Sequence, residues 1–262
     1  MIAHTPDRWL SKAGLASRSE VLEWIAEGRL TLGTLPLRAD RPVASPPFPS
    51  SSGNIRRLPP FRLDGVPLVP PPPLLLCFNK PRGVLVTLFD PEGRSVTPDF
   101  LRETPWSDPS WGRIRPLGRL DAASAGLLLL TNYPEAWSGF LAPEGAVRRR
   151  YRVKIRPSLR PRDRDLFLSG KAGEAAGYKK VEVEIERESP KSTWLHISLV
   201  EGKNREIRNV LSCHGYEVLH LIRLAFGPFL LGDIKPGESL CATGEAEKAG
   251  IVWERWESSV HP

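Results

Sequence analysis

Few side chains in this sequence are placed to do chemistry. Asp121 stands in Arg115-Pro116-Leu117-Gly118-Arg119-Leu120-Asp121, a polar, turn-forming segment that leads through Gly126 into Leu127-Leu128-Leu129-Leu130 and the turn signal Thr131-Asn132. A carboxylate a few residues from a buried strand is one that a rigid scaffold presents, and a lone presented carboxylate can serve as a nucleophile or a base. The same residues admit a plainer account, in which Arg119 and Asp121 form a surface ion pair of little consequence. Arg208 borders the apolar helix face made by Ile207, Val210 and Leu211, and a partly buried guanidinium requires an anionic partner. Tyr151, Val153 and Ile155 alternate with Arg150, Arg152 and Lys154, which puts the tyrosine on the buried side of a strand, an ordinary place for a core tyrosine. These segments hold no paired carboxylates of the kind glycoside hydrolysis uses.

The elements that must position these groups follow from periodicity and turn chemistry. The four leucines between Gly126 and Thr131 read as a short strand buried on both faces, although periodicity alone also admits a buried helical segment. Residues 74–78 form another buried strand, which runs into the turn Asn79-Lys80-Pro81-Arg82-Gly83, where Lys80 and Arg82 read as solvated turn charges. Val84, Val86 and Leu88 continue with strand alternation up to a turn at 90–94. Residues 135–141 read as a short helix, 170–177 as a loop, and 179–188 and 193–200 as strands. A glycine turn and a helix through Leu211 follow. Near the N-terminus, Asp7 can cap a helix that carries Trp9, Leu10 and Ala13 and ends at Gly14. Ser17 and Glu20 form a capping box for a second helix, with Val21, Leu22, Trp24 and Ile25 on one face. Gly28 stops it, and 29–32 starts a strand. The Pro/Ser-rich stretch 44–57 has no apolar period and reads as an inserted flexible loop. Residues 61–69 form a hairpin about Asp64-Gly65. Pro70 to Pro73 form a stiff polyproline-like spacer, so the expected division is 1–69, linker 70–73, and 74–262.

The 262 residues suit one or two domains. Lys and Arg number 37 against 30 Asp and Glu, a formal charge of +7, which favours a polyanionic partner. The densest positive charge lies between Arg148 and Arg164, with eight arginines and one lysine against a single aspartate, and such a run is expected to track phosphates. Cys77, Cys213 and Cys241 are far apart and in no ligand spacing, which argues against a disulfide framework or a zinc site. His214 and His220 read as core or surface histidines. No N-terminal targeting pattern is evident and the apolar runs are too short to span a bilayer, so a cytoplasmic protein without membrane contact is expected.

The stretch 115–132 as a whole resembles the catalytic signature of the pseudouridine synthases that modify small- and large-subunit ribosomal RNA. In that signature Gly-Arg-Leu-Asp precedes a Thr or Ser, a Gly, a leucine run and Thr-Asn; here Ser124 stands where Thr is usual and Ala125 where Ser is common. Lys80-Pro81-Arg82-Gly83 resembles the motif that opens the synthase domain, and the two N-terminal helices with the strand after them resemble an S-four-type RNA-binding domain. The resemblance implies an α+β fold, a mixed, mainly antiparallel sheet with flanking helices, behind that small N-terminal domain. It implies that Asp121 is the essential aspartate with Arg119 its RNA-facing neighbour, that Tyr151 stacks on the target base, that Arg208 pairs with Asp121, and that Leu221 makes an apolar contact near the base. Lys80 and Arg82 would face phosphate, Lys203 and Arg205 would contact RNA beside the site, and Lys12, Arg18 and Arg29 would supply the basic contacts of the small domain. The implied reaction isomerises a uridine in RNA, ribosomal RNA or a ribosome-assembly intermediate, by a monomer without cofactor or metal. The sequence departs from the family at Tyr133-Pro134, where Asp-Gly is usual, and in the 44–57 insertion. The competing reading is a noncatalytic RNA-binding or ribosome-assembly factor, whose mark would be a damaged site; Asp121, Tyr151 and Arg208 are all in place.

Overall fold

The computed structural model describes residues 3–44, 55–141, 147–251 and 255–258. Most of the 44–57 stretch read as an inserted loop therefore lies outside the described residues, and its described ends are strands.

The N-terminal unit folds around its own apolar cluster of Trp9, Leu10, Val21, Leu30, Leu58 and Phe61. Strand β1 (Ala3–His4) precedes helices α1 (Pro6–Lys12) and α2 (Arg18–Ala26). Strands β2 (Leu30–Leu32), β3 (Leu35–Pro36), β4 (Val43–Ala44), β5 (Ile55–Leu58), β6 (Phe61–Leu63) and β7 (Val66–Pro67) follow. Four of them form a small sheet in the order β3-β2-β6-β7. The capping box forms as the sequence indicates, since Glu20 N–H donates to Ser17 Oγ and Ser17 N–H donates to Glu20 Oε2. Asp7 does not cap α1. The helix starts at Pro6, whose fixed φ suits a first position, and Asp7 is buried inside the first turn with its carboxylate held by Arg18. Asp64 and Gly65 both take positive φ, 51° and 80°, the backbone that a two-residue hairpin turn requires.

The larger unit is built on a nine-stranded sheet. Its strands are β8 (Leu75–Lys80), β9 (Arg115–Leu117), β10 (Ala125–Thr131), β11 (Arg149–Arg156), β12 (Glu182–Ser189), β13 (Ser192–Leu199), β14 (Glu217–Phe226), β15 (Phe229–Leu230) and β16 (Ser239–Cys241). The main path runs β12-β13-β11-β14-β10-β8-β16, with β9 on β10 and β15 on β14. Every pairing is antiparallel except β10 with β14, which are parallel over Ala125 and Gly126 only. The leucine run is buried on both faces, as read. Leu128 and Leu130 enter one apolar cluster with Phe78, Val153 and Leu221, while Leu127 and Leu129 enter another with Trp137, Phe226 and Phe229. Short helices α3 (Ser138–Leu141), α4 (Arg164–Leu168) and α5 (Lys171–Ala175) border the sheet, α6 (Glu206–Cys213) packs across the first face and α7 (Thr243–Lys248) follows β16.

Four expectations need correction. The alternation of Val84, Val86 and Leu88 forms no strand; only Leu85 bridges to Val96, because Asp90 and Arg94 close the segment on itself. The stretch 170–177 is not a loop throughout, since α5 forms in it and Gly173 packs where a Cβ would meet Lys179 O at 2.2 Å. The arginine run is not free charge: Arg148, Arg150, Arg152 and Arg164 pair with Glu182, Glu184, Glu186 and Glu188, and Arg156 pairs with Glu217. Finally, β17 (Arg255–Ser258) pairs in parallel with β5, so the end of the described chain returns to the N-terminal side and the second unit does not hold all of 74–262.

The two units are packed, not merely tethered. Arg113 N–H donates to Gly14 O and the Arg115 guanidinium to Ser11 O, both at 2.8 Å, and Arg113 pairs with Glu20. At Gly112 (φ +64°) a Cβ would lie 2.5 Å from Gly14 O, so only glycine fits there. The proline spacer is strapped down as well: Tyr133 OH donates to Pro71 O, and Asn132 Nδ2 donates to Pro72 O and Trp111 O. No helix among the described residues is long and apolar enough to cross a membrane.

Candidate active site

The turn between β9 and β10 carries Asp121. Two contacts fix that turn from below. Gly83 N–H donates to Ala122 O at 2.7 Å, which ties in the Lys80–Gly83 motif, and Ser124 N–H donates to Asp121 O at 2.9 Å. Beyond it, Gly126 (φ +99°) lets β10 come so close to β14 that a Cβ would sit 2.4 Å from Arg223 O. That approach brings the Asp121 turn over the strand that bears Leu221.

Opposite the turn, α6 supplies two guanidiniums to one carboxylate oxygen. Arg205 Nη1 lies 3.3 Å and Arg208 Nε 3.7 Å from Asp121 Oδ2. Arg208 is the more enclosed, with its side chain 14% exposed, and it is anchored by donating to Ala123 O, Ser124 Oγ and Val218 O at 3.2–3.4 Å. Burial lowers its pKa and the nearby Arg205 charge adds to this, while Asp121 opposes both. Arginine starts so far above neutrality that it stays charged. Arg205 reaches in from the solvent side and takes a left-handed backbone, φ +53°, at the start of the helix.

Tyr151 on β11 and Leu221 on β14 complete the wall, each nearly buried. These residues share a cavity of about 300 Å³ with Asp121, Arg205, Arg208 and Arg119, a size at the lower end for small-molecule sites. A wider cleft of about 720 Å³ continues from Asp121 past Arg119, Lys203 and Arg205 to Phe89.

Asp121, Tyr151, Arg208, Leu221, Arg119, Lys203 and Arg205 are thus brought together. Arg82, Lys12, Arg18 and Arg29 line neither cavity, and nor does Lys80. It is fully buried, its ammonium donates to Pro81 O and Val84 O at 2.8 Å, and burial pushes its pKa down to about 8 against the pull of Asp121. It shapes the loop beneath the Asp121 turn and cannot face phosphate. Arg82 is exposed and donates to Leu219 O. In the small unit, Arg18 pairs with Asp7 and Arg29 with Asp64, and Lys12 Nζ lies 3.4 Å from His4 Nε2, so all three also serve their own unit.

Three cavity residues escaped the sequence reading: Glu206, Arg149 and Arg223. Glu206 is buried at the first turn of α6; burial, with Glu201 beside it, pushes its carboxyl up to about 7, and its Oε2 accepts from Lys203 N–H. Arg149 lies over the Phe226 ring at 4.6 Å, and Arg223 donates to Leu127 O at 2.6 Å. Charged residues look solvated in sequence, and only their placement in the fold, Arg149 and Arg223 on strands and Glu206 at the start of α6, marks them.

Comparison with known proteins gives a consistent result. The family described as RNA pseudouridylate synthase matches residues 74–213. An uncharacterized RNA pseudouridine synthase of Rickettsia bellii is 33% identical over 63% of this chain and 68% of its own. Ribosomal large subunit pseudouridine synthase B of Pseudomonas aeruginosa is 30% identical over 87% of this chain and 56% of its own, and its namesake in Bacillus subtilis 27% identical over 88% of each. A solved pseudouridylate synthase shares the fold, with a TM-score of 0.57 and 17% identity across 95% of this chain and 99% of that one. With the family match covering more than half of its length, the chain belongs to the RNA pseudouridylate synthases, enzymes that isomerise uridine in RNA.

Proposed function

We propose that this enzyme converts a specific uridine of ribosomal RNA to pseudouridine, with Asp121 as the group that acts on the nucleotide. The observation that carries the reading is the carboxylate of Asp121, open to the cavity and held by two guanidiniums opposite the Tyr151 and Leu221 wall. The reaction breaks the bond from C1′ to N1, turns the base and forms the bond from C1′ to C5; the C5 proton leaves and N1 gains one, so nothing is added overall. Asp121 serves it by attacking the nucleotide or by removing a sugar proton, and both routes need the carboxylate aimed at the nucleotide, which its contacts with Arg205 and Arg208 provide. The target base must leave the RNA stack to reach this cavity. There the Tyr151 ring receives it, with its hydroxyl available for proton transfer, and Leu221 packs against its other side. Arg119, Lys203 and Arg205 hold backbone phosphate at the rim, with Arg82 farther out and Lys12, Arg18 and Arg29 on the small unit. The ribosomal assignment rests on the relatives from Pseudomonas aeruginosa and Bacillus subtilis, whose names specify the large ribosomal subunit.

The test is a deletion strain whose ribosomal RNA is mapped for pseudouridine by carbodiimide adduct and primer extension. One site should be lost, and wild-type protein should restore it. Asp121→Asn and Asp121→Ala should fail to restore it while RNA affinity stays within a few-fold of wild type, because phosphate contacts carry most of the binding. Conversion by purified Asp121→Ala would overturn the assignment.

A further inference from the structure

Phe89 is out of place by the ordinary logic of burial. Its side chain is 75% exposed and the neighbouring Leu88 is 43% exposed. Yet the loop that displays it is tied at several points. Asp90 accepts from Arg94 N, Nε and Nη2 at 3.0, 3.0 and 2.7 Å, Thr87 Oγ1 donates to Phe89 O at 3.0 Å, and Leu85 joins Ser95 and Thr97 by backbone hydrogen bonds at its base. A braced loop that holds a phenyl ring in water keeps a large apolar surface ready for a partner. What that partner is follows from the surroundings, since the same cleft is lined by Arg119, Lys203 and Arg205 and opens onto Asp121. An aromatic ring among cations, at the mouth of a site for one base, matches a nucleic acid strand, whose bases stack on the ring while its phosphates meet the cations.

We propose that Phe89 enters the RNA stack beside the target nucleotide and fills the gap that the extruded uridine leaves. The inference rests on the isomerase reading above and adds a positioning residue to it. Extrusion costs stacking and pairing, and an aromatic ring that replaces the lost stack lowers that cost whatever the neighbouring base, because every base has a π-face. The contribution therefore depends on the substrate: it is large where the uridine is stacked in folded RNA and small where it is already free.

The experiment compares wild type, Phe89→Ala and Phe89→Trp in single-turnover conversion of two RNAs. One is ribosomal RNA from the deletion strain; the other is a short unstructured oligonucleotide around the uridine that wild type converts. Phe89→Ala should slow conversion of the ribosomal RNA by about tenfold or more and of the oligonucleotide far less, and Phe89→Trp should retain most of the rate. A photoreactive benzoylphenylalanine at position 89 should crosslink to a nucleotide next to that uridine. Equal slowing on both RNAs, no slowing on either, or crosslinks only to distant nucleotides or to protein would overturn the proposal. If wild type converts and Phe89→Ala keeps pace, only the stacking role fails; if wild type converts no uridine in either RNA, the isomerase reading and this role fall together.

Discussion

Asp121 is held by two arginines that do different work. Arg208 is enclosed and carries three further acceptors, Ala123 O, Ser124 Oγ and Val218 O, so it fixes the Asp121 turn as well as the carboxylate. Arg205 is 52% exposed and meets Asp121 from the open side. Arg208→Met should therefore lower kcat by about a hundredfold with little change in KM. Arg208→Lys should recover only part of the loss, since an ammonium cannot span the turn and the carboxylate together. Arg205→Met should mainly raise KM and weaken the salt dependence of binding. A collapse of kcat in Arg205→Met with Arg208→Met near wild type would reverse the assignment. The helix pattern marked Arg208 as an enclosed guanidinium in need of an anion, and only the family resemblance named Asp121 as that anion. The fate of Lys80 was not legible in the sequence. Beside Pro81 it looks like a turn charge, but β8 runs through it, paired with Gly126 of β10, and the register takes its side chain into the interior.

At the level of elements, patterns of apolar residues held where a partner element was at hand to cover them. The leucine run divides between two cores because successive strand side chains point to opposite faces, and the helix face of Ile207, Val210 and Leu211 packs as read. Val84, Val86 and Leu88 failed because alternation needs a partner strand to become a ladder, and the Asp90–Arg94 closure removes it. Glu206 shows how much a helix start can hide. Its carboxyl ordinarily titrates at 4.5, and in the folded protein burial moves it to about 7. Between these values the folded state keeps a proton that the unfolded chain releases, so this group's stability is fully present below pH 4.5 and is lost as pH rises through about 7. Glu206→Gln, which retains an acceptor for Lys203 N–H, cannot ionise. In urea unfolding the variant should match wild type near pH ~5 and exceed it by roughly 2–3 kcal/mol near pH ~8. A stability difference that does not vary with pH would show that Glu206 is not protonated in the fold.

Across the whole molecule, the distribution of charge in space differs from its distribution along the chain. The arginine run of β11 and the segment after it looks like a phosphate track in sequence. Folded, Arg148, Arg150, Arg152, Arg156 and Arg164 each face a glutamate from β12 or β14, and Arg152 also stacks on Trp194 at 4.2 Å. A linear count could not reveal this, because β13 lies between β11 and β12 and the Arg148, Arg150 and Arg152 pairs reach over it, while Arg156 meets Glu217 on the neighbouring β14. The cleft is different. Arg119, Lys203, Arg205 and Arg208 gather there with Asp121, Glu206 and Asp90, Glu201 pairs with Lys203, and no carboxylate among the described residues pairs with Arg119. Each cation that contacts phosphate releases condensed counterions, so its loss should lower the slope of log affinity against log salt by about one. Replacing Arg119, Lys203 and Arg205 by Gln should thus reduce that slope by at least about one on ribosomal RNA titrated over a range of KCl, because no carboxylate among the described residues pairs with Arg119 while Lys203 and Arg205 already meet Glu201 and Asp121. Replacing Arg152, Arg156 and Arg164 by Gln should leave the slope nearly unchanged, because the glutamates beside them already neutralise those charges. A larger drop from the second set than from the first would mean that RNA runs along the outer face of β11 and β12, and that the ladder of glutamates gives way to phosphate when RNA binds.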